Sequence, residues 1–130
     1  MYGHHITVPG PFDAALERVT LALKEQGFGI LSDIDIRQAM KDKLGVDMPA
    51  YRILGACNPP LAHRALQAEP EIGLLLPCNV TVREEADGRV VVGFLDPHMM
   101  VQLTSNPGVA GVAEEAGQRL ALARDKLTGA

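Results

Sequence analysis

The stretch Val80-Thr81-Val82-Arg83-Glu84-Glu85-Ala86-Asp87-Gly88-Arg89-Val90-Val91-Val92-Gly93-Phe94-Leu95 decides the fold class. Two runs rich in β-branched residues flank Asp87-Gly88, a dipeptide that signals a tight hairpin. Strands joined by such a turn must run antiparallel, because parallel neighbours need a long crossover. A purely parallel, doubly wound sheet is therefore excluded, even though helices and strands alternate elsewhere in the chain. Asp96-Pro97 ends the second run, since Pro donates nothing to a strand ladder.

Upstream of the hairpin, Ile72-Gly73-Leu74-Leu75-Leu76 begins a nearly continuous apolar run that reaches Val82. A run of this kind reads as a central strand covered on both faces, by helices on one side and a second subunit on the other. Tyr51 to Cys57 reads as another strand. Asn58 then caps a helix, and Pro59 fits its first position, where a missing N–H costs nothing. Leu61, Ala62, Ala65 and Leu66 form its buried stripe, and Pro70 lies just beyond its end.

Nearer the start, His4 to Val8 reads as a strand that Pro9-Gly10-Pro11 breaks. Phe12 to Gln26 follows as a helix with Phe12, Leu16, Val19 and Leu23 on one face, and Gly27 supplies a left-handed stop. Phe28 to Ile34 is extended. Asp35 then caps a short helix, with Gln38 as capping-box partner and Gly45 as terminator. At the other end, Val109, Val112, Ala116, Leu120, Ala123 and Leu127 stripe a final helix. These elements predict one α+β domain over residues 1–130, built on a single mixed, largely antiparallel sheet with helices packed mainly on one face.

Composition narrows the function classes. Of the 130 residues, 47 % are hydrophobic but only 4 % aromatic, with no Trp, so aromatic stacking of bases is disfavoured. A net charge of −4 repels phosphate backbones and anionic membranes, and neither nucleic acid nor a membrane is an expected partner. No segment reaches the apolar length of a membrane span, and Met1-Tyr2-Gly3-His4-His5 lacks the pattern of a secretory signal. Two cysteines are too few for a disulfide framework, which makes a reducing cytoplasm the expected location.

Three segments carry a family likeness. They are Gly27-Phe28-Gly29-Ile30-Leu31-Ser32-Asp33-Ile34-Asp35, Tyr51-Arg52-Ile53-Leu54-Gly55-Ala56-Cys57-Asn58-Pro59 and Leu74-Leu75-Leu76-Pro77-Cys78-Asn79-Val80. The chain resembles the bacterial and archaeal family called domain of unknown function 302 from about His5 to Leu127. The Cys-Asn-Pro and Pro-Cys-Asn segments are the most specific parts of the match. The resemblance implies a compact α+β domain that forms homodimers. It implies no activity and transfers no catalytic residue.

Candidate chemistry centres on Cys57, which ends a strand directly before the Asn58-Pro59 helix start. A thiol there gains thiolate character from the helix dipole and free N–H groups. Free Cys is also among the most buried residue types, so a packing role competes with this reading. His63, one turn into the helix, is placed to act as a base toward that thiol, although a lone helical His is commonly a surface residue. Asn58, Cys78, Asn79 and Arg52 complete the candidate ligand-binding set. Arg52 and Arg64 could hold a small anion, Asp33 and Asp35 share a side of an extended segment, and His98-Met99-Met100 reads as an adaptable apolar loop. His4 and His5 point to opposite faces. No Cys or His spacing matches a metal site, and no phosphate loop or dinucleotide fingerprint occurs, so neither metal nor cofactor is expected. The leading expectation is a homodimer that binds a small ligand or a protein partner near the Cys57–His63 turn. The alternative is a thiol-dependent redox or sulfur-transfer protein that uses Cys57.

Overall fold

The structure, a computed structural model, describes residues 2–129. Strand β1 (Gly3–Val8) leads through helix α1 (Phe12–Glu25) to β2 (Gly29–Asp35), α2 (Ile36–Leu44) and β3 (Tyr51–Cys57). Helix α3 (Pro59–Ala68) and a 3-10 helix (Pro70–Leu75) precede β4 (Cys78–Glu84) and β5 (Val90–Leu95). Helices α4 (His98–Thr104) and α5 (Pro107–Leu127) follow.

The strands form one five-stranded sheet in the order β1-β5-β4-β3-β2. Every neighbouring pair is antiparallel, so the sheet contains no parallel component where a mixed one is expected from sequence. The reason lies in the connections. Helix α2 returns the chain to the β2 edge, and α3 with the 3-10 helix returns it beside β3, each time with its direction reversed. Only α1 carries the chain across the sheet, between β1 and β2 at opposite edges. The hairpin forms as expected but is longer than a two-residue turn. The Glu85 N–H donates to the Arg89 carbonyl and the Gly88 N–H to that of Glu85, with Gly88 left-handed at φ 87°.

Alternation sorts the sheet into two faces. Leu54, Val80, Val82, Val92 and Phe94 point to the covered face and pack with Val19 and Leu23 of α1 and Leu120 and Ala123 of α5. A second cluster joins Leu61 and Ala65 of α3, Ile72, Met100 of α4, and Val109, Val112, Ala113 and Ala116 of α5. Burial of each large aliphatic side chain in these clusters is worth roughly 1.5–3 kcal/mol.

Two sequence expectations are corrected. Ile72-Gly73-Leu74-Leu75-Leu76 belongs to the 3-10 helix and its exit, not to a central strand. Pro70 presets the φ of a helical first residue, and short-range bonds from Ile72 N–H to Glu69 and from Leu76 N–H to Gly73 close the turns. Ile72 turns fully into the core at 1 % exposure and Leu75 and Leu76 pack partly against it, while Leu74 stands 83 % exposed. The second correction concerns His98-Met99-Met100, which starts α4 instead of a loop. Asp96 Oδ1 accepts from the His98 N–H, and Met100 is buried in the second cluster.

The predicted caps form. Asp35 Oδ1 accepts the Gln38 N–H at 2.9 Å, and Gly45 ends α2 with φ 65°. The Gln38 amide donates to Asp42 at 2.8 Å, so only half of the expected capping box is built.

Candidate ligand cavity

Asn58 shows how the site is positioned. Its side-chain oxygen accepts the Leu61 N–H at 3.4 Å and caps α3. Its amide donates to the Gln26 carbonyl at 3.4 Å, tying the start of α3 to the end of α1. This link holds α3 over the β3–β4 end of the sheet and leaves a space of about 320 Å³ beneath it.

The cavity is the seam between the two cores. Phe28, Ala56 and Cys78 form a floor drawn from the sheet cluster or its margin. Leu61, Ala65, Val112 and Ala116 form a roof drawn from the helical cluster, and Met100 closes one end with Leu76 and Pro77. Leu31 and Leu66 line it while remaining 73 % and 41 % exposed, which places them at the opening. Among the described residues, the lining contains no charged side chain, and Asn58 is its only polar one apart from the two thiols.

Strand register accounts for Cys78, which pairs with Ala56 across β3 and β4 and shares its covered face. Cys57 alternates away from that face and meets the lining only because it ends β3 where α3 begins. Cys57 is half-buried and Cys78 is buried. Burial, with a smaller contribution from nearby Cys57, pushes the Cys78 thiol up to about 11. Cys78 is thus a neutral thiol near pH 7, a soft wall atom and not a nucleophile.

The other sequence candidates lie elsewhere. His63 is exposed on α3. Asn79 pairs with Gly55 and, by alternation, faces the open side of the sheet. Arg52 sits at the far end of β3, held by Asp33 Oδ2 at 2.8 Å and Asp35 Oδ2 at 3.5 Å. Those two carboxylates therefore neutralise an arginine, and Arg64 is similarly held by Glu115 at 3.3 Å. The structure brings Cys57, Asn58 and Cys78 together and leaves His63, Asn79 and Arg52 outside the lining. Sequence reading misses Leu31, Met100, Val112 and Ala116 as site residues. The signal for the last two was present, since both fall on the α5 stripe, but a stripe does not distinguish core from cavity wall.

A polar groove lies at the start of α4, beside Asp96, Pro97 and His98. His98 Nδ1 is 2.8 Å from Asp96 Oδ1, and His4 Nε2 is 3.9 Å from Asp96 Oδ2. Burial raises the Asp96 carboxyl, but hydrogen bonds from the His98 N–H and ring, with the His98 and His4 charges, together hold it below the usual carboxylate range. Among the described residues, no group of three or more His, Cys, Asp and Glu side chains is placed to hold a metal ion. Also among them, no helix is long and apolar enough to cross a membrane.

These features define a class: an α+β protein with a five-stranded antiparallel sheet, helices on one face and an apolar cavity between them. The chain belongs to the family described as Domain of unknown function DUF302, whose model matches residues 4–127. It is similar to the crystal structure of an uncharacterized conserved DUF302 protein from Bacillus stearothermophilus. The TM-score is 0.88 at 30 % identity, with 98 % of each chain covered. An uncharacterized protein of Aquifex aeolicus (strain VF5) is 26 % identical over 86 residues, which is 66 % of this chain. The chain covers 54 % of that relative's length, about half.

Proposed function

We propose that this protein binds a small, uncharged, apolar molecule in the cavity between the sheet and helices α3 and α5, and that it works as a homodimer. The cavity itself carries the reading: about 320 Å³ lined by apolar side chains and two thiols, with no charged group among the described residues. Sites for small molecules are commonly apolar clefts of about this size. Titration with an environment-sensitive apolar dye tests it. Saturable enhancement that Ala65→Phe abolishes supports binding, and an unchanged signal in that folded variant refutes it.

The open face of the sheet supports the homodimer. Half-buried Tyr51, Ile53, Val91 and Leu95 share that face with Ile34, which is 49 % exposed. A stable pair would bury on the order of 1,000 Å² or more in total. A monomeric mass by light scattering at micromolar concentration would refute it.

The second reading, thiol-dependent redox or sulfur-transfer chemistry with Cys57 as nucleophile, draws support from the half-buried Cys57 beside the cavity. Exposed His63 gives it no base in the lining. Rapid alkylation of Cys57 in the native protein is its expected result, and labelling only after unfolding would remove it.

A further inference from the structure

We infer that the β-bulge in β2 is a ligand-binding device: it turns Leu31 onto the opening of the cavity, where that side chain sets the affinity for a bound apolar molecule. The role rests on the binding reading above and gives it a specific ligand contact.

Strand register reveals the device. Ile30 pairs with Ala56 of β3 and Ser32 pairs with Gly55, so Leu31 is an extra residue between the two pairs. In a regular strand side chains alternate, and the residue after Ile30 would sit opposite Gly55 and face the open side of the sheet. The bulge breaks that alternation. Ile30 packs against the sheet core, and Leu31, next in the chain, lines the cavity on the same side. Ser32 then takes the place beside Gly55, where its Oγ fills the space that a Cβ on Gly55 would need.

A second role for the bulge competes with this one. β2 is an edge strand, and a bulge can keep an edge from pairing with another chain. That duty is served by a polar or charged residue at least as well as by an apolar one. Position 31 instead carries a leucine that is 73 % exposed. Exposed single leucines are common, so exposure by itself decides nothing. What decides is that the bulge brings this leucine to a cavity whose described lining holds no charged side chain. Leu66 of α3, 41 % exposed, lines the same space. Leu31 adds little burial to the fold, and a molecule in the cavity supplies the cover that the polypeptide does not.

Fluorescence titration with phenylnaphthylamine, an uncharged environment-sensitive dye, tests the role alongside urea denaturation. Leu31→Ala should weaken the dye by about four- to fifteenfold, because each methylene that a ligand covers is worth about fourfold. Its unfolding midpoint should stay that of the wild type. Leu21→Ala, at a leucine of α1 that is 54 % exposed and outside the lining, should change neither quantity. Deleting Leu31 makes the Ile30–Ala56 and Ser32–Gly55 pairs consecutive. That variant should hold its stability and bind the dye at least as weakly as Leu31→Ala; where it does not fold, Leu31→Ala decides. Wild-type affinity in Leu31→Ala or in the folded deletion variant would overturn the role of Leu31 and leave cavity binding standing. So would an equal loss in Leu21→Ala, or a lowered unfolding midpoint in Leu31→Ala. Dye that fails to bind the wild type, or that binds Ala65→Phe undiminished, would overturn the binding reading itself.

Discussion

Cys78 gives the sharpest test of the cavity wall. Its thiol is pushed from 9.0 to about 11, first by burial and then by nearby Cys57. In the unfolded chain the same thiol returns to its ordinary range. Below about pH 9 both states are protonated and Cys78 adds nothing to the pH dependence. Between 9.0 and about 11 the unfolded chain releases its proton while the folded chain retains it, so folding stability falls as pH rises. The slope for one such group is about 1.4 kcal/mol per pH unit, and the full window amounts to roughly 2–3 kcal/mol. Lys and Tyr titrate in the same range, so the measurement must be a difference. Urea denaturation of the wild type and of Cys78→Ala across that alkaline window isolates the single thiol. The wild-type advantage should shrink steadily with pH and reach its minimum above about pH 11. A constant difference across the window would refute the burial argument. The same shift leaves about a hundredfold less thiolate at neutral pH than an ordinary thiol has. Iodoacetamide should therefore modify Cys78 only when the chain is unfolded.

Other consequences follow from single contacts. A Cβ at Gly55 would collide with Ser32 Oγ and come within 2.8 Å of Pro77 Cγ, so Gly55→Ala should cost about 1–3 kcal/mol by chemical denaturation. Asn58→Ala removes both a cap and the tie to Gln26, and should lower stability by about 1–2 kcal/mol while loosening ligand binding in the dye titration. Arg52→Ala breaks partly exposed ion pairs remote from the cavity; it should cost less than about 1 kcal/mol and leave ligand affinity unchanged.

Much of the fold was legible because its signals are local. Asp87-Gly88 marks a hairpin through turn chemistry, and Asp35, Asn58 and Gly45 mark helix ends through hydrogen bonds reaching only a few residues. The errors arose where local composition supports two structures. Leu74-Leu75-Leu76 has the hydrophobicity of a buried strand, yet Pro70 and Gly73 favour tight turns, and only packing against α3 and α4 decides that Ile72 goes fully inside while Leu74 stays out. Helix α4 was hidden for a related reason. With seven residues it offers barely two turns of periodicity, too few for a stripe to show.

The cavity lay beyond reach for a different reason, because it is defined by what does not fill it. Each lining residue is an ordinary core residue when considered alone. Their convergence depends on the Ala56–Cys78 register, on the hydrogen bond by which Asn58 ties the start of α3 to Gln26, and on the helix that delivers Met100. Ala56, Ala62, Ala65 and Ala116 all face this space. A leucine at any of these sites would bring extra methylenes under cover, each worth about 0.8 kcal/mol if it fits without strain. Alanine leaves that stabilisation unused at four positions from three separate elements, β3, α3 and α5. A bound apolar molecule can supply the same burial from outside the polypeptide, which is why the small residues of the seam weigh toward ligand binding more than the thiols beside them do.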